Sequence, residues 1–188
     1  MKTYVSEFFN LVKNAEVEIY NEFSLQHELG IFLRQQLPDS VVQFERNISY
    51  FGFDKSAFFK KELDICVLSE TRELLVAIEL KFPRNGQYPE QMFSFCKDLV
   101  FLEQLKKAGV QSAYLVIVVD DPLFYSGLSN GIYSFFRSDR CLTGTVCKPT
   151  GSKDVLLNIE GEYQLKWQPI AKNIAFAIIE ADIVDIAK

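Results

Sequence analysis

The chain has 188 residues, of which 48% are hydrophobic, and its formal net charge at pH 7 is -5. This length is sufficient for one full hydrophobic core, so we predict a single domain over residues 1–188. The acidic balance argues against a protein that binds nucleic acid through bulk charge, because such binding depends on many Lys and Arg side chains. No apolar run of the sequence approaches the roughly 18 residues of a membrane span. The first residues also lack the apolar centre of a signal peptide, so we expect a soluble cytoplasmic protein that does not bind membranes.

The cysteines do not suggest a metal site. The sequence contains four cysteines at scattered spacings and one histidine, which is a poor ligand set for zinc. We expect Cys66, Cys96, Cys141 and Cys147 to be small buried side chains of a protein in a reducing compartment. A disulfide between Cys141 and Cys147 is the alternative.

The first forty residues predict two helices. Residues 4–19 favour a short helix, and the next helix is expected to begin after a cap at Asn21 or Ser24 and to end before Pro38. Its apolar stripe consists of Leu25, Leu29, Phe32 and Leu33. Glu28 lies on the shoulder of this stripe, which makes it a candidate acid that faces the interior. The alternative is a boundary residue whose carboxylate reaches water.

Charged residues interrupt a pair of predicted strands. A strand over Val41–Tyr50 is followed by two short apolar runs, 63–68 and 74–80, and the five residues between these runs have no apolar side chain. The two runs predict an antiparallel hairpin. The charged positions are Asp64, Glu79 and Lys81. Such charges are costly to bury unless they are paired or bound to a metal, so their presence in strands points to a site.

The strand period places these charges together. Side chains alternate between the faces of a strand, so Glu79 and Lys81 share one face. One register of the hairpin places Asp64 opposite Ala77 and diagonal to Glu79, and another places it directly opposite Glu79. In both registers the two carboxylates and the ammonium lie on one face within reach of one another. Carboxylate oxygens of this kind can hold a hard divalent cation.

The remaining predicted helices and strands contain fewer candidate site residues. A helix is expected over Glu90–Lys107, and the apolar run 113–119 predicts a buried strand that runs parallel to its neighbour. The buried side of that helix is expected to consist of Met92, Phe95, Leu99, Leu102 and Leu105. Pro122–Arg137 should form a loop with a helical piece. The predicted strands after it are Cys141–Cys147, Val155–Ile159, Tyr163–Trp167 and Ile174–Glu180, with a loop at Glu160-Gly161.

The order of these elements and charges resembles the PD-(D/E)XK superfamily, the restriction-endonuclease-like nucleases. The residues that carry the resemblance are Glu28 in a helix, Asp64 in a strand, and Glu79-Leu80-Lys81 at the end of the next strand. The resemblance covers about residues 20–120. It implies an α/β fold of mixed α+β type, an αβα sandwich with a central mixed sheet, on which residues 121–188 pack additional strands and loops.

This resemblance also implies a function. It implies a Mg²⁺- or Mn²⁺-dependent nuclease that hydrolyses phosphodiester bonds, with DNA as the favoured substrate, in restriction, repair or a mobile element. Asp64, Glu79 and the Leu80 carbonyl would hold the metal. Lys81 would orient the attacking water or neutralise developing charge, and Glu28 would support the metal.

Other residues are candidates for contacts with nucleic acid. These candidates are Gln91, Lys61 and Arg84. Gln91 begins a partial Gln-x-x-x-Tyr motif in which Phe95 stands at the tyrosine position. We expect Lys97 and Asp98 to be surface or helix-packing residues.

Two alternatives to a nuclease stay open at this point. One is a non-catalytic endonuclease-like binding or regulatory module, and the other is an α/β protein in which the charges form only an ion-pair network. Pairing of two subunits in a homodimer is also open.

Overall fold

A computed structural model describes residues 1–84, 86–151 and 154–182. The helices in this part are α1 (Lys2–Lys13), α2 (Glu22–Gln36), α3 (Tyr88–Lys107) and α4 (Tyr133–Arg137). The strands are β1 (Val41–Asn47), β2 (Glu62–Leu68), β3 (Leu74–Lys81), β4 (Ser112–Val119), β5 (Leu142–Cys147), β6 (Leu156–Tyr163), β7 (Gln168–Ala171) and β8 (Ile174–Ala181). Short 3-10 turns lie at Ile48–Phe51, Lys55–Ala57 and Pro122–Phe124. The predicted C-terminal region extends to Lys188, and its residues 183–188 lie outside the described part.

The strands form one large sheet and one small one. Six strands pair in the order β1-β2-β3-β4-β8-β7, and β5 pairs with β6 in a separate two-stranded sheet. Within the large sheet β3 and β4 are parallel, and the other neighbours are antiparallel. The predicted mixed sheet, the central hairpin and the parallel buried strand are therefore confirmed, although the sheet is mostly antiparallel.

Helix α2 begins with a reciprocal cap. Asn21 Oδ1 accepts a hydrogen bond from the Ser24 N–H at 2.8 Å, and Ser24 Oγ accepts one from the Asn21 N–H at 3.0 Å. Such a capping box satisfies amides that have no partner within the helix. The predicted stripe of Leu25, Leu29, Phe32 and Leu33 is buried. Helices α1 and α2 share one core cluster with the face of the sheet that presents Ile65 and Ile78.

Helix α3 packs on the opposite face of the sheet. Its predicted buried side of Met92, Phe95, Leu99, Leu102 and Leu105 is buried as expected. These side chains share a second core cluster with Cys66, Ala77 and Leu115 of the sheet and with Leu157 of β6. Helices therefore cover both faces of the large sheet, and the side chains of β3 alternate between two separate cores.

Two predictions of strand boundaries are wrong. Strand β1 ends at Asn47 and not at Tyr50, because the Asn47 side chain accepts a hydrogen bond from the Ser49 N–H and begins a 3-10 turn. The predicted loop at Glu160-Gly161 lies inside strand β6, which replaces two of the predicted strands with one. Strand β7 was not predicted.

The cysteines agree with the prediction in part. All four thiols are free, so the alternative of a Cys141–Cys147 disulfide is not formed. Cys66 and Cys96 are buried, but Cys141 is half-buried and Cys147 is exposed. In the described residues no helix is long and apolar enough to span a membrane.

Candidate functional site

The site lies where β2 and β3 separate. The last strand pair at this end of the hairpin joins Ile65 to Ile78, and continuing this register places Asp64 opposite Glu79. This is the second of the two predicted registers. The carboxylate of Asp64 turns toward the neighbouring strand, where its Oδ2 accepts a hydrogen bond from the Leu80 N–H at 2.7 Å. The other oxygen of Asp64 is left to face the site.

An ammonium group occupies the space between the carboxylates. Lys60, which precedes β2, donates a hydrogen bond to Glu79 Oε2. Its Nζ also lies 3.4 Å from Asp64 Oδ1. A third acid, Asp98 of α3, places its Oδ1 3.8 Å from the same ammonium. One cation is therefore shared by three carboxylates that come from three elements.

A second ammonium lies beside the first. Lys81 Nζ is 3.0 Å from Asp98 Oδ2 and 3.8 Å from Glu22 Oε1. Glu22, in the first turn of α2, also accepts a hydrogen bond from the Phe82 N–H at 2.9 Å. We call Glu22, Lys60, Asp64, Glu79, Lys81 and Asp98 the acid–lysine cluster. Four carboxylates face two ammonium groups in it, so the fully ionised cluster has a net charge of two negative units.

Two carboxylates of this cluster are buried, so their charged forms are costly. Glu79 has no exposed surface and Asp98 is 5% exposed. Glu79 Oε1 and Asp98 Oδ2 are buried without a hydrogen-bond partner, although Lys81 Nζ lies 3.0 Å from Asp98 Oδ2. Buried carboxylates are normally hydrogen-bonded on both oxygens, so the unpartnered oxygen of Glu79 makes this cluster a candidate functional site.

The pKa values of Glu79 and Lys60 are both raised. The shift favours the neutral form of Glu79 and the charged form of Lys60. Burial raises the pKa of Glu79, and the charges of Asp64 and Asp98 raise it further against the lowering effect of Lys60. Burial lowers the pKa of Lys60, but the attraction of the carboxylates outweighs this, and the net pKa lies above the ordinary 10.5. Lys60 is therefore a permanent ammonium at neutral pH.

The structure joins some predicted site residues and leaves Glu28 apart. Asp64, Glu79 and Lys81 belong to one cluster, as the alternation of strand side chains predicted. Glu28 is half-buried on α2, and its side chain forms no hydrogen bond or ion pair with any other described residue. The helix acid that meets the cluster is Glu22, two turns nearer the N-terminus of α2.

Three residues of the acid–lysine cluster were not predicted as site residues from the sequence. Asp98 was expected at the surface or in helix packing, but it lies three positions after Phe95 and four before Leu102. It therefore belongs to the predicted buried stripe of α3. A charged residue on an apolar stripe is a sequence feature that could have identified Asp98 as a site residue. Lys60 precedes the strand, where no periodicity applies. Glu22 was not predicted as a site residue because a helical wheel does not show which end of α2 approaches the sheet.

The candidate substrate contacts differ in their availability. Lys61 is exposed beside the cluster. Arg84 is also exposed, and its Nη1 lies 2.9 Å from Asp120 Oδ2. Gln91 is half-buried in the first turns of α3. Of the two positively charged candidates, Lys61 is therefore the one without an ion pair to another described residue.

The donor atoms of the cluster fit a hard divalent cation, although the site is not arranged for one as it stands. No group of three or more His, Cys, Asp and Glu side chains in the described ranges is positioned to hold a metal ion. Between Asp64 and Glu79, the Lys60 ammonium occupies the contact positions. The donors themselves are carboxylate oxygens, which Mg²⁺ prefers, and Glu79 Oε1 lacks a partner.

A cleft of about 640 Å³ lies elsewhere, between α4 and β5. None of its lining residues belongs to the acid–lysine cluster. Its charged side chains are already engaged, because Arg140 lies over the Phe135 ring at 4.4 Å and Lys148 Nζ is 3.9 Å from Glu90. We therefore place the candidate site at the cluster, where a buried oxygen is unsatisfied.

Comparison with known proteins yields no assignment. No protein-family model matches the chain, and no curated protein or solved structure matches it either. Inference about function therefore depends on the chemistry of the cluster.

Proposed function

We propose that the protein is a Mg²⁺- or Mn²⁺-dependent nuclease, with DNA as its favoured substrate, and that the acid–lysine cluster is its active site. The observation that carries this proposal is the convergence of Asp64 and Glu79 on a single cation, with the ammonium of Lys81 in the same cluster. Hydrolysis of a phosphodiester develops negative charge on the phosphoryl oxygens, and a metal ion held by the carboxylates would stabilise this charge together with the Lys81 ammonium.

The metal ligands would be Asp64, Glu79 and the Leu80 carbonyl. A bound ion would polarise the phosphoryl oxygen and lower the pKa of water. Asp64 divides its two oxygens between tasks, because Oδ2 holds the Leu80 amide and Oδ1 faces the site. The hydrogen bond to Leu80 fixes the orientation of the carboxylate, which reduces the entropy that is lost when it binds a ligand.

Lys81 would act as a fixed positive charge and not as a base. Burial lowers the pKa of Lys81, but Asp98 and Glu22 outweigh this and raise it above the ordinary 10.5. The ammonium therefore keeps its proton at neutral pH. Asp98 lies 3.0 Å from Lys81 Nζ, which positions this charge to neutralise a phosphate.

One observation favours a second candidate, a non-catalytic endonuclease-like module. Lys60 already compensates Asp64 and Glu79 without any metal. In a module of this kind the cluster would be a permanent ion-pair network, and the protein would bind or regulate a partner without cleaving it.

Metal titration beside a cleavage assay separates the two functions. Wild-type protein, Asp64→Asn and Glu79→Gln would be titrated with Mg²⁺ and Mn²⁺ by calorimetry and assayed on DNA and RNA. Asparagine is chosen at position 64 because its amide oxygen can still accept the Leu80 N–H. We expect metal-dependent cleavage by the wild type, and a loss of at least about a hundredfold in each variant, since each loses a charged ligand.

The control is Lys97→Met, an exposed position on α3 that adjoins Asp98 in sequence but contacts the Phe93 ring. It should retain both metal binding and cleavage. Absence of metal binding at millimolar concentrations, together with absence of cleavage, would refute the nuclease and leave the module as the better proposal.

A further inference from the structure

We propose that Lys60 is a tethered cation that keeps the metal site closed, and that a divalent ion binds only when the Lys60 side chain moves out. This inference depends on the proposed function and adds a control on metal loading to it. The ammonium and the ion would compete for the same carboxylate oxygens, and occupation of the site by one would exclude the other.

The contacts of Lys60 support direct competition. Its Nζ bonds to Glu79 Oε2 and lies 3.4 Å from Asp64 Oδ1, which is the Asp64 oxygen that the Leu80 amide leaves open. An ion that bridged Asp64 and Glu79 through these two oxygens would need the position that the Lys60 ammonium occupies, and Glu79 Oε1 would be an additional donor to that ion. An ammonium with carboxylate oxygens on several sides occupies the position of a small cation with oxygen ligands.

Lys60 is also the ammonium that can leave. It follows the 3-10 turn Lys55–Ala57 and precedes β2, and its side chain is 32% exposed. The long stem of a lysine allows the charged end to reach water without movement of the backbone. Lys81 is less free, because it lies within β3, is more deeply buried and is paired with Asp98.

Departure of Lys60 would leave the rest of the cluster paired. Asp98 contacts both lysines, so it keeps Lys81 as a partner when Lys60 is absent. Exchange of one ammonium for one divalent ion adds one positive unit, which lowers the net negative charge of the ionised cluster from two to one. The exchange therefore improves the charge balance of a buried site.

The proposed competition would change both the apparent affinity for the ion and the exposed fraction of Lys60 by a measurable amount. If Lys60 occupies the site about nine-tenths of the time, only about a tenth of the molecules accept an ion, and the apparent affinity falls about tenfold. The same populations predict that a saturating ion raises the freely exposed fraction of Lys60 about tenfold.

Chemical labelling of lysines tests this on the wild-type protein. Reductive methylation would be carried out with and without Ca²⁺ or Mg²⁺, and the labelling of Lys60 and Lys61 would be read separately by mass spectrometry. We expect saturating ion to raise labelling of Lys60 up to about tenfold and to leave the exposed Lys61 unchanged. Labelling of Lys60 that stays constant or falls while calorimetry shows ion binding would overturn the proposal.

A matched pair of variants gives the second test. Lys60→Met and Lys61→Met remove the same charge from adjacent positions, and calorimetry would measure their affinity for Mg²⁺. We expect Lys60→Met to bind about tenfold more tightly than the wild type, and Lys61→Met to bind equally well.

The outcomes separate this inference from the nuclease proposal. Equal affinity in all three proteins would refute the competition and leave the nuclease standing. Absence of binding in all three would refute the metal-dependent nuclease and the competition with it. If circular dichroism shows that Lys60→Met does not fold, the labelling of the wild-type protein decides the question.

Discussion

Glu79 is a carboxylate with no exposed surface, and one of its oxygens has no partner. Burial raises its pKa well above the ordinary 4.5, and Asp64 and Asp98 raise it further against the effect of Lys60. The folded protein therefore retains this proton at pH values where the unfolded chain has lost it. In that window, which begins near pH 4.5, the free energy of unfolding falls as the pH rises.

Glu79→Gln should remove this pH dependence. We expect the wild type to lose stability relative to the variant as the pH rises from 4.5 through the folded-state pKa of Glu79, and the difference to stay constant above it. Urea unfolding in the presence of a chelator, at pH values from about 4 to about 8, measures this difference. Parallel stability curves for the two proteins would contradict the interpretation.

The two acids of α2 make a matched test of positioning. Glu22 Oε1 lies 3.8 Å from Lys81 Nζ, whereas the Glu28 side chain has no polar contact with another described residue. Glu22→Gln should lower the cleavage rate by about ten- to a hundredfold through misplacement of Lys81, and Glu28→Gln should have little effect.

The pH profile of cleavage distinguishes positioning from a merely structural role of Glu22. Loss of its negative charge lowers the pKa of Lys81, so the alkaline limb of the profile should move to lower pH in Glu22→Gln. A lower rate with an unchanged profile would mean that Glu22 acts only on the fold.

Which site residues could be predicted from the sequence depends on whether their contacts are local in the chain. Asp64, Glu79 and Lys81 could be placed together because alternation along two adjacent strands is a local rule. Lys60 and Glu22 could not, because their contacts depend on how a turn and a helix end dock on the sheet. Such docking is a tertiary property that periodicity does not contain.

At the scale of elements, Glu103 joins the small sheet to α3. Its carboxylate is buried and accepts hydrogen bonds from the Gly161 N–H at 2.8 Å and from the Tyr163 hydroxyl at 2.9 Å, and the Glu160 N–H also donates to it. This explains why the predicted loop at Glu160-Gly161 is a strand. A glycine that suggests a break in the sequence is held in β6 by an acceptor from a distant helix.

Glu103→Ala should therefore loosen β5 and β6. We expect a loss of about 2–3 kcal/mol in the free energy of unfolding, because a charged acceptor is removed and buried donors lose their partner. Urea unfolding measures the loss, and amide hydrogen exchange should show it concentrated in β5 and β6.

Glu160→Ala is the control for this change. Glu160 lies on the same strand and pairs at the surface with Lys107. A surface pair of this kind contributes little, so a change within about 0.5 kcal/mol is expected. An equal loss in both variants would show that Glu103 does not connect the elements.

Across the whole molecule, the net charge of -5 opposes the approach of a polyanion. The proposed substrate must therefore be attracted by positive groups outside the acid–lysine cluster. Lys61, which follows Lys60 in the sequence, is exposed and has no carboxylate partner in the described residues. Attraction that depends on a few lysines is strongly sensitive to salt.

Lys61→Met should lower the affinity for DNA and weaken its dependence on salt. Loss of one phosphate contact reduces the slope of log affinity against log salt by about 0.9 on duplex DNA. Fluorescence anisotropy on the Asp64→Asn background, in Ca²⁺, would measure the slope without cleavage.

Lys13→Met provides the comparison at an exposed position of α1, on the other side of the sheet. It should leave the slope unchanged. Equal slopes in Lys61→Met and the parent protein would remove Lys61 from the DNA-binding surface.

The order of strands also has a consequence for how the molecule is made. Strand β4 lies inside the sheet because β8 pairs along almost all of it, from Ala113 with Ala181 to Val119 with Ala175. Between these partners the chain forms α4 and strands β5 to β7. During synthesis on the ribosome, one edge of an almost wholly apolar strand is therefore unpaired until 174–181 have been made. Such an edge recruits other chains, so the nascent protein depends on rapid completion or on a chaperone to stay free of aggregation.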